Sequence, residues 1–510
     1  MGSTSSVTDM ANHLFDIMRA RIPGAQHPFI IHPAGGVISY GEVLHISSRI
    51  AHVLVAGGVQ RGDRVAVQVE KSANMLMLYL ACVRAGAVFL PLNSAYTLAE
   101  LDYFIGDSQP SMIVCDPARR EGIAAMARGA AVETLDAAGS GSLTEKAELQ
   151  HHDFVDVARG PDDLAAILYT SGTTGRSKGA MLSHDNLASN ALTLVDFWRF
   201  TASDVLLHAL PIFHTHGLFV ATNVVLLAGA SMLFLPKFDA DEVMRLMPQA
   251  TTMMGVPTFY VRLVDHPGLT KQATAHMRLF VSGSAPLLAD THRAFSERTG
   301  HAILERYGMT ETNMNTSNPY DGDRIAGTVG LPLPGVLARV TDPETGTVLA
   351  PDDIGMIEVK GPNVFKGYWR NPEKTAAEFR PDGFFITGDL GKIDARGYVH
   401  ILGRGKDLII TGGYNVYPKE VESEIDAMPG VVESAVIGIP HRDFGEGVTA
   451  VVVCAKGAVL DEKVIVAALE QRLARFKQPK RVIIVDDLPR NTMGKVQKNL
   501  LREQYKGLYA

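Results

Sequence analysis

Tyr169-Thr170-Ser171-Gly172-Thr173-Thr174-Gly175-Arg176-Ser177-Lys178 is the stretch from which the rest of the chain is best read. Just before it, Leu164-Ala165-Ala166-Ile167-Leu168 is an apolar run long enough for a buried strand. Just after it, Gly179-Ala180-Met181-Leu182 leads to Ser183-His184-Asp185-Asn186-Leu187, which reads as a helix start. A loop of Gly, Ser and Thr between two ordered elements offers many backbone N–H groups and hydroxyls at close approach. With a lysine at its end it suits the oxygens of a polyphosphate. The spacing is not that of a Walker A loop, because the internal glycines stand too close together and Lys178 follows differently. A flexible surface linker is the alternative reading, although a linker seldom follows a buried strand so directly. The phosphate ligands expected here are Thr170, Ser171, Gly172, Thr173, Thr174, Gly175 and Lys178.

Outward from this stretch the pattern is an alternation. Val65 to Val69, Ala87 to Leu90 and Met112 to Cys115 read as strands. Ser39 to Glu42 and Thr97 to Glu100 have the capping-box spacing that opens helices. Further strands are expected at Val205 to Leu210, Met232 to Leu235, Thr252 to Val256 and Leu279 to Ser282, with Pro257 opening a helix. Nearly continuous apolar strands between helices imply a parallel, doubly covered sheet. Residues 135–163, polar and without a period, read as a connector. From Gly335 the texture turns to short strands and turn pairs. Beyond Arg404-Gly405-Lys406-Asp407 lies a compact α+β set, with helices expected from Pro418 to Met428 and from Asp461 to Phe476. The expected class is therefore α/β and multi-domain: a tag or disordered end over 1–9, a large body over 10–405 and a small one over 406–510.

At 510 residues the chain is too long for one core. A net charge of −7 gives no general attraction for nucleic acid or an acidic membrane surface. Gly217 to Pro236 is uncharged and about membrane length, but Thr222, Asn223, Gly229 and Ser231 break it into a buried helix, a turn and a strand. Cys82, Cys115 and Cys454 form no metal spacing or disulfide framework, which points to a reducing cytoplasm.

Several separated motifs point at one nucleotide. Ser282-Gly283-Ser284-Ala285-Pro286 ends a strand where open α/β sheets hold ligands. Glu305-Arg306-Tyr307-Gly308-Met309-Thr310-Glu311 supplies an aromatic face, a hydroxyl and a carboxylate. A purine could stack on Tyr307, and Glu311 could hold Mg²⁺. Thr387-Gly388-Asp389 places a carboxylate suited to two ribose hydroxyls, and Arg404 follows. Each alone reads equally as turn chemistry or a surface ion pair; their joint presence in this order does not.

Together with Gly403 to Asp407 and Pro489-Arg490-Asn491-Thr492-Met493-Gly494-Lys495, these motifs resemble the signatures of adenylate-forming enzymes, which include acyl-CoA synthetases, peptide-synthetase adenylation domains and beetle luciferase. The resemblance runs over essentially the whole chain from residue 11. It implies ATP, Mg²⁺ and coenzyme A, and two half-reactions: an acid and ATP give acyl-AMP and pyrophosphate, and a thiol then takes the acyl group. It implies nucleotide contacts from Ser284, Ala285, Glu305, Arg306, Tyr307, Gly308, Asp389 and Arg404, and catalytic roles for Thr310, Glu311, His214 and Lys495. Lys495 would bridge acid and phosphate from a small domain that rotates about Lys406. Gly412, Gly413 and Tyr414 would then replace it and line the thiol's path. Lys495 is also expected to be a substrate of a lysine acetyltransferase and deacetylase.

Phe213-His214-Thr215-His216-Gly217 matches the family's aromatic gate motif; a two-histidine metal site lacks a visible third ligand. Arg262, on a helix that packs beside the acyl pocket in the family, is expected to pair with a second carboxylate on the substrate; an exposed helix arginine is the alternative. Ser282, Gly283, Met309 and Thr215 complete the expected acyl pocket. This segment and the gate resemble those of malonyl-CoA synthetases, implying a small dicarboxylic acid, malonate or methylmalonate. Lys477 and Lys480 are candidate CoA phosphate contacts, a solvated basic helix end being equally compatible. An aryl- or medium-chain acyl-CoA ligase is the enzymatic alternative. A nucleotide-binding regulator without catalysis is the other, and intact Lys178, Glu311 and Lys495 argue against it.

Overall fold

The structure is a computed structural model that describes residues 12–170, 177–411, 414–470, 472–491 and 494–509. Met1 to Asp9 lie outside the described residues. Strands buried on both faces pair in parallel here because helices cover both sides. Ala131–Thr134, Met112–Cys115, Arg64–Gln68, Val88–Pro91, Leu164–Thr170 and Lys178–Ser183 form a six-stranded sheet in that order. Only the last pair is antiparallel, with Thr170 opposite Lys178. The Gly/Ser/Thr stretch therefore joins two paired strands, and the residues read as a lead into a helix are themselves a strand. The helix His184–Phe197 begins only after it, with Ser183 and Asn186 in a reciprocal cap.

A nine-stranded sheet lies beside the first. Its parallel centre runs Leu304–Met309, Leu279–Ser282, Thr252–Gly255, Val205–His208, Ser231–Phe234 and Pro28–Ile31. Ser282, Met309, Gly255 and His208 stand at the carboxyl ends of their strands, the edge where such sheets hold ligands. The uncharged segment from Gly217 onward divides into a π-helical turn His216–Thr222, a helix Asn223–Ala228 and the strand Ser231–Phe234, almost all buried. Among the described residues no helix is long and apolar enough to cross a membrane. Gly217 makes the π-turn possible: a Cβ there would stand 2.1 Å from the Pro211 carbonyl oxygen.

An antiparallel sheet of Leu337–Thr341, Gly355–Lys360, Phe385–Ile393 and Val399–Arg404 follows. After the single turn Gly405–Asp407 comes a five-stranded sheet built on the long hairpin Val431–His441 and Gly445–Cys454. One face packs Val421, Ile425, Ile465 and Leu469 from two helices onto Ile409, Val436 and Val452. The other face is covered by the last helix, Lys498–Tyr505, through Leu501 on Ile437 and Ile439. Each such apolar side chain contributes about 1.5–3 kcal/mol on burial.

Two expectations need correction. The connector 135–163 contains the helix Ser142–Glu148, which at seven residues is too short to show a period. The helix expected from Asp461 to Phe476 ends at Leu469.

Candidate active site

Strand register brings the nucleotide motifs together. Asp389 lies opposite Arg404 in the third sheet, and Arg404 Nε is 2.9 Å from Asp389 Oδ1. The Tyr307 hydroxyl donates to Asp389 Oδ2, so the tyrosine from the nine-stranded sheet and the carboxylate from the antiparallel sheet are joined. Burial and the Asp389 charge together push the Tyr307 phenol well above its ordinary range, so it stays a donor. The Asp389 charge in turn raises Arg404 further. Glu305, on the same strand as Tyr307, is buried with one backbone donor, Gly327 at 3.2 Å, and desolvation pushes its carboxyl up to about 8. Gly308 is obligatory: a Cβ would lie 1.8 Å from the Asn313 carbonyl oxygen across the hairpin. Thr310 occupies the turn of that hairpin, next to Glu311.

Glu311 is buried, with desolvation raising its pKa. The Tyr368 hydroxyl stands 3.1 Å from Glu311 Oε1 and 2.6 Å from Glu378 Oε2. A single phenol proton cannot serve both carboxylates, and a buried carboxylate short of donors suits a cation. The residues therefore fit Mg²⁺. Lys178 Nζ lies 5.3 Å from the centre of the Tyr368 ring, which sets the lysine beside this carboxylate pair. Thr170 faces it across the strand pair. Ser171, Gly172, Thr173, Thr174 and Gly175 lie outside the described residues. Nothing in the sequence spacing pointed to Tyr368 or Glu378, which approach Glu311 only through the fold.

On the side expected to take the acid, Arg262 and Arg306 differ in burial. Arg262 is exposed, because the helix Pro257–Asp265 turns Pro257, Tyr260 and Leu263 inward and the residue two after Tyr260 falls on the other face. The buried guanidinium is that of Arg306, placed among the nucleotide ligands by the sequence reading. It lies across Gly283, where a Cβ would meet it at 2.4 Å. Its Nε and Nη2 have no partner among the described residues. Desolvation lowers its pKa to about 9; burial first, and the Arg306 charge second, lower those of His214, to about 4, and His216. Both imidazoles are neutral at neutral pH. His216 Nδ1 is 3.1 Å from the hydroxyl of Ser284, a non-glycine residue held at φ 74°, and Ala285 follows it at the strand's mouth. Ser282 Oγ is also without a partner among the described residues. Thr215 donates to Asn313 Oδ1 at 2.7 Å and is tied down, while the Met309 sulfur lies 3.9 Å from the Tyr307 hydroxyl. Met309 thus stands between the residues expected at the nucleotide and those expected at the acyl group.

Lys495 is flanked by paired backbone. Arg490 and Val496 form an antiparallel bridge, and Gly494 abuts the large body at Thr258. The Lys495 side chain is accessible from the cleft, yet the atoms crowded around it desolvate its ammonium and lower its pKa. Arg404 and Lys406 add to that, and Asp389 and Asp407 oppose it. The amine therefore stands within the electrostatic reach of the Asp389–Arg404 pair. Lys406 sits on the one turn between the two bodies, whose Asp407 is paired with Arg502 of the last helix.

The residues assigned to CoA divide. Tyr414, 58% exposed, stacks on Phe476 with ring centres 4.7 Å apart. Lys477 is paired with Glu420, and Lys480 lies 3.7 Å over the Phe444 ring. Gly412 and Gly413 lie outside the described residues.

Comparison with known proteins adds the following. The sequence model of the AMP-binding enzyme family matches residues 20–369, and that of the AMP-binding enzyme C-terminal domain matches 420–495. The crystal structure of ATP-bound MatB from Rhodopseudomonas palustris is similar at 69% identity and TM-score 0.97, over 98% of this chain and 100% of that one. The apo structure of MatB from the same organism, with the same identity and coverage, superposes at 0.86. A feruloyl-CoA synthase of Amycolatopsis sp. is 36% identical over 96% of this chain and 98% of its own. A malonate–CoA ligase of Arabidopsis thaliana is 34% identical over 97% of this chain and 90% of its own.

Proposed function

We propose, from the premise that this chain belongs to the AMP-binding enzyme family, that it is an AMP-forming acid–CoA ligase acting on a small dicarboxylic acid, with malonate the best fit and methylmalonate the next. The acid and ATP would give acyl-AMP and pyrophosphate, and the CoA thiol would then take the acyl group and release AMP.

Attack of a carboxylate on the α-phosphate concentrates negative charge on oxygens that only cations and N–H dipoles can offset. Lys178, Lys495 and Arg404 surround the cleft with that charge. The Glu311 carboxylate would hold Mg²⁺, which when bound offsets phosphate charge. Asp389 would accept from the ribose hydroxyls, and its contacts with Arg404 and the Tyr307 hydroxyl, one at each oxygen, support that reading. Neutral His214 and His216 line the acid's side of the pocket without repelling Arg306 as imidazoliums would. Lys406 is read as the hinge, so that turning the small body withdraws Lys495 and brings Tyr414 toward the cleft. Lys495 is also the point where acetylation, by removing its charge, would stop acid activation. Unchanged pyrophosphate release from a fully acetylated sample would contradict that role.

The observation that carries the diacid is the buried Arg306 guanidinium, with two nitrogens lacking partners beside Gly283. A buried cation without an anion is costly, and a second carboxylate on the substrate supplies one bidentately. An aryl-CoA ligase, as the feruloyl-CoA synthase relative would imply, has no use for that charge at the ring's position. The test is CoA- and ATP-dependent AMP formation with malonate, methylmalonate, succinate, acetate and benzoate side by side. Malonate should lead in kcat/KM. A higher value for benzoate or acetate would overturn the assignment.

A further inference from the structure

We propose that Arg490, braced by Glu433, is a positioning residue that fixes the backbone from which Lys495 reaches the cleft in the acid-activating half-reaction. The inference rests on the reading of Lys495 given above. Asn491 holds that lysine's main chain from both sides: its N–H donates to the Lys495 carbonyl at 2.9 Å, and its Oδ1 accepts from the Lys495 N–H at 3.0 Å. Arg490 Nη1 donates to the Gly494 carbonyl at 2.8 Å, and its other terminal nitrogen pairs with Glu433. Glu433 belongs to the strand Val431–His441, the edge strand of the small body's sheet, where it lies opposite Val453 of the long hairpin. The pair therefore ties the backbone flanking the lysine to the long hairpin of its own domain.

Lysine carries its charge on a flexible stem, so the amine occupies a defined place only if its backbone does. Gly494 shows how narrow that place is. It adopts φ 75°, and a Cβ there would be 3.1 Å from Thr258 Cγ2 on the large body. Arginine suits the bracing task because its planar fork can hold a carbonyl and a carboxylate at once, which an ammonium does less well. Its guanidinium is half-buried, and desolvation lowers its pKa, so the ion pair is more than a solvated surface contact.

The test compares half-reactions in the full-length enzyme. In Arg490→Met, kcat for pyrophosphate release from malonate and ATP should fall roughly 10- to 100-fold, with KM for ATP within about two-fold. Conversion of supplied malonyl-AMP and CoA to thioester should be retained, which also shows that the variant is folded. Glu433→Gln should move the same step in the same direction by less. Equal loss of both half-reactions in Arg490→Met, or no loss in either, would overturn the bracing role. Lys495→Ala, run alongside, separates the two ideas: if it keeps pyrophosphate release, the reading of Lys495 itself fails. If Lys495→Ala loses that step while Arg490→Met keeps it, only the bracing fails.

Discussion

At the scale of single residues, the two arginines of the acyl side show what a sequence conceals. Arg262 and Arg306 are both cations near glycine-rich or aromatic motifs, and nothing in their spacing ranks one above the other. Burial does: Arg262 is exposed on its helix and Arg306 is 3% exposed across Gly283. Arg306→Met should lower kcat/KM for malonate relative to acetate roughly 10- to 100-fold, because a charge-assisted pair contributes about 1.5–3 kcal/mol. Arg262→Leu should leave that ratio unchanged within about two-fold. Removing an unpaired buried charge relieves a cost in the free enzyme, so the thermal midpoint of Arg306→Met should not fall. An intact malonate preference in Arg306→Met would remove the guanidinium from the pocket's chemistry. The motif residues Tyr307, Asp389 and Arg404 were legible because their spacing is itself the signal. Tyr368 and Glu378 were not, since they meet Glu311 through a chain reversal that no local pattern announces.

At the scale of elements, reading succeeded where a cap or a proline marks a boundary and failed where a strand is defined only by its partner. Ser39 with Glu42 and Thr97 with Glu100 do form reciprocal caps, and Pro257 does open its helix. Lys178–Ser183 looks like a lead into a helix because its strand character comes from pairing with Leu164–Thr170. The helix that follows carries a pH-dependent element of stability. His184, its first residue, is buried against Leu14, whose N–H lies 3.4 Å from Nδ1. Desolvation, with Arg159 and His13 adding and Asp163 opposing, lowers its pKa to about 3. The unfolded chain protonates this imidazole below about 6.5 and the folded chain does not. The contribution of this neutral histidine is therefore complete above about pH 6.5 and is lost as the pH falls toward 3. His184→Asn should make the fall in urea-unfolding free energy between pH 6.5 and 4.5 shallower, by up to about 1.4 kcal/mol per pH unit. Identical slopes for the two proteins would show that His184 takes up its proton in the folded state.

At the scale of the whole molecule, the question is whether one arrangement of the two bodies can serve both half-reactions. The structure matches the ATP-bound relative at TM-score 0.97 and its apo form at 0.86, with Lys495 facing the cleft and Tyr414 stacked on Phe476. That geometry sets the Lys495 amine where the proposed acid activation needs it, and among the described residues nothing brings Tyr414 to the same cleft. The contact between Gly494 and Thr258 allows the arrangement to be locked. A Cβ built on Gly494 lies 3.8 Å from Thr258 Cβ, within the span of a disulfide. A cysteine at φ 75° costs about 1–2 kcal/mol, which an engineered disulfide contributing about 2–4 kcal/mol can offset. Cys82 and Cys115 are buried and unable to compete for it, and Cys454 can be replaced by serine as a precaution. The double variant Thr258→Cys, Gly494→Cys should release pyrophosphate from malonate and ATP in the oxidised form. Its thioester formation should fall on the order of 100-fold and return on reduction. Oxidised enzyme that makes thioester at the reduced rate would show that the bodies need not part, and that the thiol reaches the acyl group past Lys495. Oxidised enzyme that has lost both steps while keeping its fold would show that closure at Thr258 belongs to neither half-reaction.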